Sequence, residues 1–162
     1  LNGQYPYTIN PGGPNHEELC SLIGIYEYFM DLYKHHFQES EISILKKIEK
    51  LNNLIAKHEA EIANPILEFI SSKDNFNLIG KSEINNKNRA PTISFTVKNR
   101  KSSEISEILV KNKIATRNDN FYAWRCLKSL GIDLNDGVVR LSMTHYNNLE
   151  DTKKIIQALK KI

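Results

Sequence analysis

Thr92-Ile93-Ser94-Phe95-Thr96-Val97 alternates polar and apolar side chains and is rich in β-branched residues, so it predicts a half-buried strand. Phe76-Asn77-Leu78-Ile79-Gly80 reads the same way, and the polar loop Lys81 to Arg89 separates the two. Downstream, Ser102-Ser103-Glu104 opens a short helix carrying Ile105, Ile108 and Leu109. Ile114-Ala115-Thr116-Arg117 is then a strand candidate, Phe121 to Leu130 a helix with Gly131 as its C-cap, Val138-Val139-Arg140-Leu141-Ser142 a strand, and Leu149 to Leu159 a last helix. Half of the strand positions are polar, so the helices must cover one face only. The expected fold class is α+β: about four short, mostly antiparallel strands with helices on one side.

Upstream the period changes from two to three and four. Asn15-His16-Glu17-Glu18 places an N-cap residue before an acidic first turn, and Leu19, Leu22, Ile23, Tyr26, Phe29, Met30 and Tyr33 form one apolar stripe along a helix ending near His35-His36. A second long helix is predicted from about Glu41 through Ile44, Leu45, Ile48, Leu51, Ile55 and Ile62, with Pro65 interrupting it. Residues 1 to 14 hold three prolines and three glycines and cannot be regular structure.

The chain has 162 residues, 40% hydrophobic and 25% charged, the size and composition of one ordinary globular domain. Cys20 and Cys126 form no Cys-x-x-Cys pair or Cys/His cluster, which argues against a disulfide scaffold and a structural zinc site. No apolar run has membrane-spanning length, and the expected location is the cytoplasm. The 22 Lys+Arg exceed the 19 Asp+Glu through 17 lysines scattered among glutamates, a solvated helix face rather than a nucleic-acid surface. The sequence begins without methionine, so a piece of something longer stays open.

Three features have chemical potential. Pro11-Gly12-Gly13-Pro14-Asn15 sets two glycines against a helix N-terminus, where backbone N–H groups favour an anion; the competing reading is a turn whose helix Asn15 already caps, with Glu17 and Glu18 opposing negative charge. Arg117 and Arg140 end two strands beside loops rich in hydrogen-bonding side chains, the usual setting for a bidentate grip on carboxylate or phosphate; alternatively both are surface arginines paired with Asp119 or Asp136. Phe121, Tyr122 and Trp124 offer a stacking surface or a buried helix start, and Ala123, Trp124 and Leu127 around Cys126 suggest a core thiol. The five histidines show no metal-ligand spacing.

Four segments together carry a resemblance. Pro11 to Glu18, Arg89-Ala90-Pro91-Thr92-Ile93-Ser94-Phe95, Ile114-Ala115-Thr116-Arg117 with Phe121-Tyr122-Ala123, and Gly137-Val138-Val139-Arg140-Leu141-Ser142 with His145-Tyr146-Asn147 resemble, in order and approximate spacing, the C-terminal part of class V aminotransferase-type enzymes, nearest the cysteine-desulfurase-like branch. The resemblance implies a small C-terminal domain of a fold type I, pyridoxal-phosphate-dependent enzyme acting on an amino-acid-type substrate. It divides the chain into 1–38, an opening loop and connecting helix from a large domain, and 39–162, the small α+β domain. It implies further a homodimer, the chain's own large domain as partner, and no catalytic lysine among these residues, so that the chain by itself would be inactive. On the substrate side it marks Arg140 as the α-carboxylate clamp, with Arg117, Tyr122 and His145. On the cofactor-phosphate side it marks Gly12, Gly13 and Asn15, where Gly13 replaces the family's threonine. The loop cysteine of desulfurases is matched by Tyr122, which favours transamination, epimerisation or elimination over persulfide chemistry. The rival expectation is a stand-alone α+β module binding a small anion or a protein, without catalysis.

Overall fold

The computed structural model describes residues 12–85 and 88–162, so most of the irregular run predicted over residues 1 to 14, and Asn86 and Lys87 in the loop after the first strand, lie outside the described residues. The chain divides into two compact units, 1–52 and 53–162.

In the first unit helix α1 (His16–His36) begins where the sequence predicts. Asn15 Oδ1 accepts the Glu18 backbone N–H at 3.1 Å, with Glu17 and Glu18 in the first turn and Lys34, His35 and His36 in the last. Beyond it Tyr33 stacks on Phe37 with ring centroids 4.9 Å apart, donates its hydroxyl to the Glu39 carbonyl and lies under the Lys47 ammonium. Met30 and Tyr33 are buried, whereas Leu19, Leu22, Ile23 and Tyr26 of the same predicted stripe are each more than half exposed. The periodicity therefore identifies the helix correctly, but the described residues leave much of its apolar face in solvent.

Helix α2 (Ile44–Ser71) departs from expectation by passing through Pro65. Proline inside a helix removes one hydrogen bond and costs about 3 kcal/mol. Here Ile62, Ala63, Ile66, Leu67 and Ile70, on both sides of the proline, are fully buried in the core, and five such residues outweigh that cost. The Thr152 hydroxyl also donates to the Ile62 carbonyl at 2.6 Å, in the turn before the proline. Beside Pro65, the Asn64 amide accepts from the Ile84 N–H at 2.7 Å and donates to the Ile84 carbonyl at 3.1 Å, which pins the polar loop by its one buried apolar residue.

The second unit is built on a four-stranded antiparallel sheet of β1 (Phe76–Ile79), β2 (Thr92–Val97), β3 (Arg117–Asp119) and β4 (Val138–Ser142), in the order β1-β2-β4-β3. Residues directly opposite in a ladder share a face. The row Leu78, Phe95, Val139 faces the core, with Ile93 opposite Leu141 one step along. Phe95, Val139, Ile93 and Leu141 share one buried cluster with α2, with Ile105 and Leu109 of α3 (Ser102–Lys111), and with Ile155, Ala158 and Leu159 of α5 (Leu149–Leu159), and the partly buried Leu78 packs against it. The architecture is α+β, with helices packed on one side of the sheet. A full capping box at Asn148 and Asp151 starts α5.

Two boundaries differ from the sequence reading. The strand predicted over Ile114–Arg117 begins only at Arg117. Lys113 takes a left-handed φ of 61° and the Ile114 N–H bonds back to the Leu109 carbonyl, so Ile114 packs on the core as the exit from α3 rather than pairing in the sheet. The helix predicted from Phe121 is the shorter α4 (Trp124–Ser129), because Phe121 and Tyr122 have φ of 52° and 60° and form a left-handed turn before it. Gly131, with φ of 69°, ends α4 as predicted.

Candidate anion site on the open sheet face

The face of the sheet opposite the core carries one row across all four strands: Ile79, Ser94, Arg140 and Arg117. Around it stand Asn77, Thr96, Thr92, Ser142, Val138 and Asp119. The row places two guanidinium groups on directly opposed positions of β3 and β4, the arrangement that a cross-strand pair of like charges makes least favourable.

The reading of these arginines as ion-paired surface residues does not describe the structure. Among the described residues no carboxylate lies within ion-pair distance of Arg117 or Arg140. Asp119 Oδ1 accepts the Asn120 N–H at 2.6 Å. Asp136 Oδ1 accepts the Ser102 N–H at 2.9 Å, capping α3, while the Ser102 hydroxyl donates to the Asp136 carbonyl at 2.6 Å. Both acids are committed to holding backbone.

Arg140 instead rests on an aromatic ring, its Cζ 4.0 Å from the Phe121 centroid. The left-handed turn that presents this ring is held from several sides. Asn120 Oδ1 accepts the Tyr122 N–H at 3.0 Å, the Asn120 amide donates to the Leu134 carbonyl at 3.2 Å, and the Ala123 N–H returns to the Asn120 carbonyl at 2.9 Å. Gly137, at φ of 71°, lets the chain entering β4 pass so close that a Cβ there would fall 2.2 Å from the Asp119 carbonyl carbon. Asn118 completes the frame by donating to the Ser102 hydroxyl at 3.3 Å.

The structure thus brings Arg140 and Arg117 together, with Phe121 and Tyr122 on the adjoining turn. Tyr122 is 95% exposed and Trp124 half exposed, so the aromatic trio is no buried helix start. Cys126 is exposed on α4, not a core thiol; Leu127 is the buried residue of that helix. His145 follows β4 in the next loop, its ring 5.4 Å from Tyr146, and its electrostatic neighbour is Glu59 of α2. Burial pushes the Glu59 carboxyl above its ordinary range, and His145, then His58, pull it back. His58 Nε2 stands 2.8 Å from the Asn147 carbonyl and ties that loop to α2.

Gly12, Gly13 and Asn15 belong to the first unit. The glycines have open space around them, and the Asn15 side chain is engaged as the cap of α1. Phe121 and Gly137 are the residues whose roles single-residue reasoning misses. Asn118-Asp119-Asn120 before two aromatics was the available signal for a turn. Among the described residues no group of three or more His, Cys, Asp or Glu is placed to hold a metal ion, and no helix is long and apolar enough to cross a membrane.

Among the described residues, two arginines without a carboxylate partner thus stand opposite each other on the sheet face turned away from the core of an α+β fold. The chain belongs to the class V aminotransferase family, whose model matches residues 38–155. It is 34% identical over 110 residues to the aminotransferase-like protein FGM3 of Gibberella zeae, a match covering 67% of this chain and 27% of that protein. With a probable cysteine desulfurase of Pseudomonas putida it shares 25% identity over 105 residues, 65% of this chain and 24% of that one. Among solved structures, the cysteine desulfurase CsdA from Escherichia coli superposes with a TM-score of 0.67 at 17% identity, over 96% of this chain and 32% of that chain. An apo cysteine desulfurase from Thermococcus onnurineus NA1 gives 0.59 at 24% identity, over 71% and 28%. The chain spans about a quarter of the length of the curated relatives it matches.

Class V aminotransferases and cysteine desulfurases are pyridoxal-phosphate enzymes. No position of the four strands is a lysine that could take the cofactor's aldehyde, and the two arginines of the sheet row have the chemistry to grip a carboxylate or a phosphate.

Proposed function

We propose that this chain is the small C-terminal domain of a larger, dimeric, cytoplasmic pyridoxal-phosphate enzyme of the class V type, and that it supplies the clamp for the α-carboxylate of an amino-acid substrate. The observation that carries the reading is the unpaired Arg117–Arg140 juxtaposition on the open face. Arg140, on an interior strand and resting on a ring, keeps its N–H edges available for a bidentate carboxylate, and Arg117 adds a second positive charge beside it. The ligand's negative charge would offset the repulsion between the two.

Substrate orientation is the contribution of these residues; the amine-carrying lysine and the cofactor's ring contacts belong to the rest of the enzyme. The exposed apolar residues of α1, with the Gly12-Gly13 turn before it, are assigned to contact with the large domain and the second subunit near the cofactor phosphate. Tyr122 at the tip of the turn, where a desulfurase would carry its cysteine, favours transamination, epimerisation or elimination over persulfide formation. His145, which the family resemblance assigns to the substrate side, lies on the loop that follows the clamp strand and has Glu59 of α2 as its electrostatic neighbour, so the clamp reading rests on the two arginines.

The test is made in the full-length enzyme containing this chain. Arg140→Ala is expected to lower kcat/KM for the amino-acid substrate by at least the roughly 1.5 kcal/mol of a hydrogen bond to a charged group, more than tenfold. Unchanged kinetics would overturn the clamp.

A further inference from the structure

Arg140 has a problem of placement: a long, flexible cation stands directly opposite another cation, and among the described residues no acid anchors it. A carboxylate partner would anchor it but would also occupy the N–H donors that a ligand needs. An aromatic face anchors a guanidinium through its flat side and leaves the in-plane donors free. Phe121 provides that face, 4.0 Å from the Arg140 Cζ.

The backbone argues for the same role. Phe121 and Tyr122 are consecutive non-glycine residues with positive φ, a conformation that bulky side chains rarely adopt. Such strain persists where its surroundings over-determine it. Here the Asn120 side chain bonds both the Tyr122 N–H and the Leu134 carbonyl, and Gly137 abuts the Asp119 carbonyl. A turn this constrained sets the direction of the Phe121 ring.

We infer that Phe121 is a positioning residue for Arg140: its ring holds the guanidinium in place against Arg117 and keeps both N–H edges of Arg140 open to a carboxylate. This rests on the clamp reading above and names the group that makes the clamp work.

The test uses the whole 162-residue chain, with core amide dispersion as the check on folding and acetate as the probe. In the wild type the Arg140 δ-methylene and Nε–H protons should be shifted upfield by the ring. Phe121→Leu keeps an apolar side chain of similar bulk on the same strained backbone but removes the π face. It should abolish that shift and weaken acetate binding at Arg140 about two- to fivefold, the range expected for an exposed cation–π contact. Phe121→Tyr and Phe121→Trp should restore both. A residue that merely stabilised the turn would not show this split, because the leucine variant would then match the aromatic ones in affinity once folded.

Absence of the upfield shift in the wild type, or full acetate affinity in folded Phe121→Leu, overturns the inference. A normal upfield shift with no response of either arginine to acetate instead overturns the carboxylate clamp and leaves the ring contact standing.

Discussion

Arg117 stands directly opposite Arg140 in the ladder between β3 and β4. Like charges in that relationship destabilise a sheet by about 0.2–1 kcal/mol, and among the described residues no acid offsets them. Arg117→Gln is therefore expected to raise the free energy of unfolding by that order, seen as a higher denaturant midpoint, while lowering affinity for a small carboxylate. Added salt should stabilise the wild type more than the variant, since it screens a repulsion that only the wild type has. A variant less stable than the wild type at low salt would contradict the account.

Gly137 and Gly131 make a controlled pair. Both have φ near 70°, but a Cβ on Gly131 meets open space, whereas one on Gly137 overlaps the Asp119 backbone. Gly131→Ala should cost only the left-handed penalty, about 1–2 kcal/mol. Gly137→Ala adds a backbone clash that no rotamer relieves and should exceed it clearly, approaching the roughly 4–5 kcal/mol of the most disruptive point changes. Chemical denaturation of both variants decides it; equal losses would show that the close approach can relax.

Glu59 supplies the pH dependence. Burial raises its carboxyl above the ordinary value of 4.5, against the pull of His145 and His58. A raised folded value means that the native state holds the proton more tightly than the unfolded chain. The associated stability is full below the ordinary value and lost as pH rises through the folded one. Glu59→Gln, which mimics the protonated form, should stabilise the chain at pH 7 and lose that advantage below about pH 4. Thermal melts at the two pH values test this; a variant destabilised at pH 7 would place a needed interaction on the charged form.

The apolar side of α1 makes a solution prediction. Leu19, Leu22, Ile23 and Tyr26 are exposed along successive turns, the kind of contiguous surface that associates. Sedimentation at tens of micromolar should show species larger than the monomer, and replacing Leu22 and Ile23 by lysine should reduce them. A clean wild-type monomer would speak against α1 as a contact surface.

Local signals were legible in the sequence where a side chain acts on its own neighbourhood. The alternation around Phe95 located the central strand, Asn15 located the start of α1, and Leu149–Leu159 was bounded without error. The sequence singles out Arg117 and Arg140 but places both at strand ends, whereas Arg117 opens β3 and Arg140 is the middle residue of β4; their mutual opposition is a property of register, which no single segment states. Pro65 predicts an interruption of α2, but its local penalty is overridden by apolar burial on both sides, a tertiary effect. The Phe121–Tyr122 segment predicts helix because aromatics near apolar residues suit a helix start, yet both residues form a left-handed turn. Its left-handed backbone depends on Asn120 and on the close passage of Gly137, which comes from a distant stretch of chain.

The strand order β1-β2-β4-β3 gives the two arginines different mechanical characters. Arg140 sits on a strand laced to neighbours on both sides, so its backbone can open only when the sheet itself comes apart. Arg117 sits on a three-residue edge strand that can fray without global unfolding. Amide exchange should accordingly be slow at Val139 and Leu141 and faster at Asn118. The anion site would then consist of a fixed jaw and a yielding one, able to admit ligands of different girth without surrendering the geometry of its grip.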